Sequence, residues 1–462
     1  MSVGSKAKAP PAPQIRLDFV PASDYTAEFH RLEMERVWPR VWQVACREEE
    51  IPNVGDYVNY EIGNESILVV RSAPDKIRAF YNVCPHRGRR LRDDARGTLK
   101  AIFCGYHAWT FDLDGKPTAI PSRDDWKGCP LSNDADLSLS PVKVGTWAGW
   151  VWINMDPASM SLREYLGPIP GRLDRYLWED CRMRSYQTLI FPINWKVAIE
   201  AFVEPYHVIA THPQLLRWGH GRATPVEEYL YPGFQHGGHT GGRNYHFDED
   251  AEFRDPRDYI YSSALNTYHT LHGLYHEAGV RAAERMMKEV PAGLTLQEAS
   301  ARYANLRREE IIKSGASFPE GVTSEDQRII EWLIFPNSSV LTTVEGAFWY
   351  RSRPNSDDPN STIFDVWSLG RFAPGKEPKI EQEFYRNLDE FKGKNPILEQ
   401  DFSNMLAVHK GTRSRGWKGA RPNPIQESQV GNFHRVLHGY VYGNDEWAEA
   451  QVSRMTTAEF ES

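Results

Sequence analysis

The sequence predicts an α+β protein in which a small all-β domain precedes a larger domain of antiparallel sheet and helices. Three observations carry this expectation. Residues 41–156 alternate short β-branched and aromatic runs with turn signals. From Ser185 the composition changes, and long helix-compatible stretches join strand-like ones. No regular strand–helix alternation runs along the chain, which argues against a doubly wound sheet. Residues 1–40 then form an N-terminal tail and helix packing on the larger domain, 41–160 the β domain, and 161–462 the larger domain.

Taken in order, the Ala/Pro/Lys-rich start has the composition of a short disordered tail. A helix is expected within 25–45. The runs 66–72, 77–84, 101–104 and 149–155 read as strands. Turn signals stand between them at Asn53–Gly55, Asp114–Gly115 and Pro121–Ser122. A strand-like stretch at 185–193 leads into a long helical run over 194–212, and a further helical segment covers 281–314. Strands return at 329–351 and 362–372, and a last helical region spans about 378–410.

Composition excludes several classes. The chain has 462 residues, 40% hydrophobic and 25% charged, with a formal net charge of −8. Acid and base are mixed, and no basic run points to nucleic acid or an anionic membrane. No stretch approaches the roughly 18 consecutive apolar residues of a membrane span. The N-terminus lacks the apolar core of a secretory signal, so a cytoplasmic chain is expected. Five cysteines, an odd number, do not suggest a disulfide framework.

Two cysteines have histidines beside them. Cys84-Pro85-His86 is followed, after seventeen residues, by Cys104-Gly105-Tyr106-His107. Each half offers a thiolate and an imidazole within one turn. Zinc and a 2Fe–2S cluster with two imidazoles on one iron both fit such a set. The mixing of Cys and His within each loop favours the cluster. Zinc sites more often pair Cys with Cys and His with His. These half-motifs, with the run Tyr106–Gly115 behind them, resemble the Rieske ferredoxin domain. The resemblance implies Cys84, His86, Cys104 and His107 as ligands of a 2Fe–2S cluster. Ala108 departs from it, standing where the family more often has Gly.

His207 and His212 follow in the run Asn194-Trp195-Lys196 to His212. On an ideal helix two residues five apart face directions about 140° apart. The helix must therefore break between them, and Pro205 supplies a reason. Two His and one carboxylate on one face of Fe(II) leave positions open for dioxygen and substrate. Together with the preceding β domain, this run resembles the catalytic domain of the ring-hydroxylating oxygenase alpha subunits. The resemblance implies a helix-grip type fold and a mononuclear Fe(II) on His207, His212 and Asp401, with Glu399 as the rival carboxylate. It also implies that Glu204, three residues before His207, links the iron site to a cluster ligand of a neighbouring subunit in a homotrimer. His236 and His239 read as a surface loop, and His409 as packing or surface.

The resemblance further implies a terminal oxygenase working with dioxygen, a small-molecule substrate and NAD(P)H electrons. These arrive through a separate reductase, with or without a ferredoxin, because no dinucleotide-binding fingerprint is present. A small beta subunit is compatible with it. Apolar candidates for the pocket are Phe202, Val208, Leu216, Leu333, Phe335 and Phe348, so an aromatic or polycyclic substrate is the first expectation. A quaternary ammonium compound, or O- or N-dealkylation, is the second; Glu204 suggests it, and an aromatic cage can hold such a cation. A Rieske electron carrier without oxygenase activity is the reading from another class, and it has no use for the His207, His212 and Asp401 set.

Overall fold

The computed structural model describes residues 19–219, 228–230, 235–240, 252–271, 274–323 and 329–443. The expected N-terminal tail, 1–18, lies outside the described residues. The chain divides into two compact units. One is Trp38–Tyr165, and the other joins Met1–Val37 to Leu166–Ser462.

The smaller unit is all β. Its seven-stranded sheet runs in the order Gln43–Arg47, Trp150–Asn154, Pro141–Trp147, Lys76–Tyr81, Glu65–Ala73, Asp56–Ile62, Arg96–Thr98, antiparallel throughout. A three-stranded sheet, Ile102–Phe103, Thr110–Phe111 and Pro117–Ala119, carries the second Cys/His loop. Leu68, Val70, Phe80, Ile102, Trp109 and Phe111 form a shared core beneath both loops.

The larger unit is built on an eight-stranded sheet. Its order is Glu228–Leu230, Gly237–Thr240, Ile330–Ile334, Ser338–Thr343, Gly346–Asn355, Asp358–Gly370, Arg182–Phe191, Glu383–Tyr385. All neighbours are antiparallel except the last pair. Strand alternation divides its two faces. Glu331, Ser339, Leu341, Phe348 and Tyr350 share one face through their cross-strand pairings. Trp349, Trp367 and the buried Arg351–Asp365 ion pair (2.6 Å) occupy the other. The first face packs against Phe202, Leu398 and Phe402 from the helical side.

The helices start where capping chemistry allows. Asn194, Asp255, Thr295 and Asn395 each accept a backbone N–H of the first turn, and Pro256 and Pro396 take the first helical position. The expected single helix over 194–212 is two short ones, Trp195–Glu200 and Val208–Thr211. The segment 281–314 carries the two helical runs read in it, as Glu277–Glu289 and Leu296–Lys313, with Pro291 and a left-handed Gly293 between them. Two further helices, Pro256–Thr270 and Ser428–Tyr442, were not expected from the sequence.

A buried polar network ties the two ends of the larger unit together. Asp24 meets His434 Nδ1 at 3.0 Å and His438 Nε2 at 2.8 Å. His434 Nε2 meets Glu200 at 2.6 Å, and the Tyr25 hydroxyl donates to the same carboxylate. Burial pushes the His434 imidazole down, but its bonds to Asp24 and Glu200 outweigh this and hold it at about 9. Burial pushes Asp24 up, and the two imidazoles bring it down to about 2.

Candidate metal centres

The two Cys/His loops of the smaller unit have the same backbone design. In the first, the Cys84 N–H donates to the Arg89 carbonyl and the Gly88 N–H to the Cys84 carbonyl. In the second, the Cys104 N–H donates to Trp109 and the Ala108 N–H to Cys104. The residue four beyond each cysteine is left-handed, Gly88 at φ 72° and Ala108 at φ 60°. Both cysteines are buried and both histidines half-buried. The His86 and His107 rings lie 4.6 Å apart, and His86 stacks on Trp109 at 4.8 Å.

The donor set suits a two-iron cluster with its thiolate end inward and its imidazole end toward the surface. Burial pushes the Cys84 thiol up to about 11; backbone N–H groups of His86 and Arg87 oppose this, and the neighbouring Cys104 adds to it. Two buried sulfurs side by side become thiolates only with positive charge between them. The other three cysteines form no disulfide; Cys46 and Cys181 are buried and Cys129 exposed.

In the larger unit the chain leaves helix Trp195–Glu200, passes Pro205, and resumes as the single turn Val208–Thr211. His207 stands at one end of this turn and His212 at the other. The break lets their rings converge, with centroids 5.4 Å apart at 75°. Asp401 comes from helix Pro396–Thr412. Its Oδ1 lies 2.8 Å from His212 Nε2 and 3.6 Å from His207 Nε2. That oxygen is buried and accepts no hydrogen bond, a costly arrangement unless a cation sits beside it. All three donor atoms lie within 4.8 Å of one another. Donors sharing one face of a single octahedral ion stand about 3 Å apart, so the three residues can hold one metal ion.

The far side of each ring is also held. Glu204 is buried, meets His207 Nδ1 at 2.8 Å and accepts the His207 N–H at 3.0 Å. Gln400 Oε1 meets His212 Nδ1 at 2.8 Å. Such contacts fix the ring so that Nε2 faces the metal. Burial pushes His207 down, but Glu204, then Asp401 and Glu331, hold it at about 9.

Gln400 was not singled out from the sequence. Its neighbour Asp401 was, but nothing in the spacing marks an amide as a partner for a ring. Glu399, the rival carboxylate, instead accepts the Gly393 N–H at 2.6 Å. Of the apolar candidates, Phe202 and Phe348 join one cluster with Tyr350, which stacks on Phe202 at 4.2 Å. Leu333 shares the sheet face of Glu331, two residues along the strand. Val208 and Leu216 are half-buried near the histidines in sequence. Phe335 packs elsewhere, on Phe433 and Tyr440. His236 is buried rather than on the surface, and its Nδ1 accepts the Phe335 N–H at 3.0 Å. No described helix is long and apolar enough to cross a membrane.

Comparison with known proteins identifies both domains. Residues 41–133 match the Rieske [2Fe-2S] domain, and residues 177–443 match the ring hydroxylating alpha subunit (catalytic domain). The chain is 29% identical over 327 residues to the carnitine monooxygenase oxygenase subunit of Escherichia coli (strain K12), covering 68% of this chain and 78% of that one. Its fold is similar to a quaternary ammonium Rieske monooxygenase solved with L-carnitine, with a TM-score of 0.61 and 20% identity, covering 94% of this chain and 99% of that one. It is equally similar to a naphthalene 1,2-dioxygenase solved with phenanthrene, with a TM-score of 0.62 and 21% identity, covering 96% and 98%. The chain therefore belongs to the ring-hydroxylating alpha-subunit family and is the terminal oxygenase component of a Rieske oxygenase system, with a 2Fe–2S domain and a mononuclear iron domain, working with a reductase, dioxygen and a small-molecule substrate.

Proposed function

We propose that this oxygenase hydroxylates a quaternary ammonium compound. In this reading Cys84, His86, Cys104 and His107 hold the cluster, and His207, His212 and Asp401 hold the iron. The observation that carries the substrate class is the similarity to the carnitine monooxygenase subunit over 327 residues. The fold comparison does not separate cations from hydrocarbons, because both structures match equally well. An aromatic substrate is the second reading, supported by the ring cluster of Phe202, Phe348 and Tyr350. Iron(II) at the three donors would supply dioxygen activation, with positions left open.

The protein's own groups would divide the remaining work. Glu204 and Gln400 orient the two imidazoles. Glu204 also serves as the link to the cluster of a neighbouring copy in a homotrimer, since a carboxylate can accept from two imidazoles at once. Glu204→Gln keeps the shape and exchanges one acceptor for a donor. It should retain iron and the Rieske signal yet slow reoxidation of the pre-reduced cluster by roughly tenfold or more. Reoxidation at the wild-type rate, with normal product yield, removes Glu204 from this role. The reading as a whole is tested by oxygen consumption with a surrogate reductase across trimethylammonium and aromatic compounds. Iron content adds a second check, about three irons per chain for the oxygenase against about two for a bare carrier.

A further inference from the structure

We propose that Trp126 is a positioning residue for the cluster, whose indole holds the His86 imidazole at its angle and keeps water from that side of it; this rests on the reading of Cys84, His86, Cys104 and His107 as ligands. The two metal centres hold their imidazoles differently. At the iron site Glu204 and Gln400 meet the outer nitrogens of His207 and His212. Among the described residues no side chain does this for His86, and the groups around its imidazole are rings. The Trp109 indole stacks on it at 4.8 Å, with the two planes 6° apart. Trp126 stands edge-on to both, 6.0 Å from His86 at 74° and 5.7 Å from Trp109 at 76°. Stacked and edge-on pairs of this kind favour one ring angle over others as well as removing apolar surface from water.

The loop that carries Trp126 supplies a second, independent observation. Trp109 belongs to the second Cys/His hairpin, but Trp126 arrives from a separate segment, 121–136, that is exposed along most of its length. Three of its residues are half-buried, Arg123, Trp126 and Ser132, and the same three fasten it. Arg123 donates to the Ser132 carbonyl at 2.6 Å and pairs with Asp134 at 3.1 Å. The Ser132 hydroxyl donates to the Cys129 carbonyl at 2.7 Å and to the Trp126 carbonyl at 3.2 Å. The loop is thus closed on itself, and its one large ring packs on the core beneath the two Cys/His hairpins.

Charge gives the cover a direction of effect. Two ferric ions, two sulfides, two thiolates and two neutral imidazoles carry no net charge, so one-electron reduction creates a single negative charge. An apolar cover disfavours that charge, as burial disfavours any charge without a partner. Trp126 therefore lowers the reduction potential and makes the reduced cluster a stronger electron donor. Opening the cover admits water, stabilises the reduced form and raises the potential.

The test is a potentiometric titration of the holoprotein followed by electron paramagnetic resonance, with pulsed measurement of the nitrogen couplings in the reduced cluster. Trp126→Ala should raise the ratio of reduced to oxidised cluster at a fixed ambient potential by roughly threefold or more. It should also change the couplings of one imidazole and leave those of the other, with iron and sulfide content at the wild-type level. Trp126→Phe should restore most of both. Arg123→Ala, which unties the loop and leaves the indole in the chain, should shift the potential in the same direction by less. If Trp126→Ala keeps the wild-type potential and couplings, or lowers the potential, the indole is only packing and this proposal falls alone. If Trp126→Ala holds no cluster, Arg123→Ala decides: a raised potential upholds the proposal, and an unchanged one overturns it. If the reduced wild type shows no imidazole nitrogen coupled to its cluster, the ligand reading falls and takes the proposal with it.

Discussion

The proposed cluster donors all lie between Cys84 and His107, on two hairpins of one design, whereas the proposed iron donors come from a bent helical segment and a second helix whose Asp401 lies 189 positions beyond His212. In the smaller unit each loop is closed by its own backbone. In the larger unit each imidazole depends on a different side chain, Glu204 for one and Gln400 for the other. A site written into local turns survives changes elsewhere in the chain. A site assembled from distant segments inherits every weakness of the elements that bring it together.

The largest effect should separate the two sites outright. Asp401→Ala should abolish turnover and remove the mononuclear iron, lowering iron content from about three to about two per chain, while the Rieske electron paramagnetic resonance signal stays. Loss of that signal as well would show the two sites to be coupled through folding. Next in size is the network behind the iron helix. His434→Ala leaves the buried Asp24 and the half-buried Glu200 against a cavity and should cost roughly 3–5 kcal/mol in denaturant unfolding of the larger unit. Its pH dependence is set by the two shifts. His434 is raised to about 9, so its contribution is complete below about pH 6.5 and fades as pH rises through 9. Asp24 is lowered to about 2, so its contribution is present above about pH 4 and fades as pH falls through 2. The difference between wild type and variant should therefore shrink from pH 6 to pH 10. A constant difference would mean the network is not held by charge.

Gln400→Leu probes the dispersed site more gently. It frees the His212 ring to rotate and should weaken iron binding by roughly 10- to 100-fold in chelator competition, with no change in cluster content. The smallest change compares the two loops with each other. Ala108 holds the left-handed position that Gly88 fills in the other hairpin. Ala108→Gly should stabilise the smaller unit by about 1 kcal/mol, and Gly88→Ala, which meets no atom within 4 Å, should cost about as much. If Gly88→Ala instead destroys the cluster, the loops are not equivalent.

The same contrast decides what could be read from the amino acids alone. Two Cys/His pairs at short spacing in a β setting mark themselves. His207 and His212 acquire meaning only behind that motif, and the break at Pro205 was legible although the resulting pair of short helices was not. The helix Pro256–Thr270 announced itself through Asp255-Pro256, a cap followed by a first-turn proline, and was missed. Helix Ser428–Tyr442 had no such signal. Gln429, Asn432, His434 and His438 are buried on it together with Phe433, Val436 and Leu437, so no polar face marks its period. Gln400 is invisible for a related reason, because a polar residue beside a site looks like one on the surface until the fold is known.

The discontinuity of the larger unit sets an order of events on the ribosome. Strands of the smaller unit pair only with one another, and all of them have been synthesised by Asn154. A nascent chain of that length can close its core and accept a cluster, since domains generally fold as units during synthesis. The iron segment has a longer wait. His207 and His212 must wait for Asp401 to emerge, and the network on Glu200 is incomplete until His434 and His438 reach Asp24, 410 and 414 positions away in sequence. The residues proposed for the cluster are therefore all present in the chain well before those proposed for the mononuclear iron.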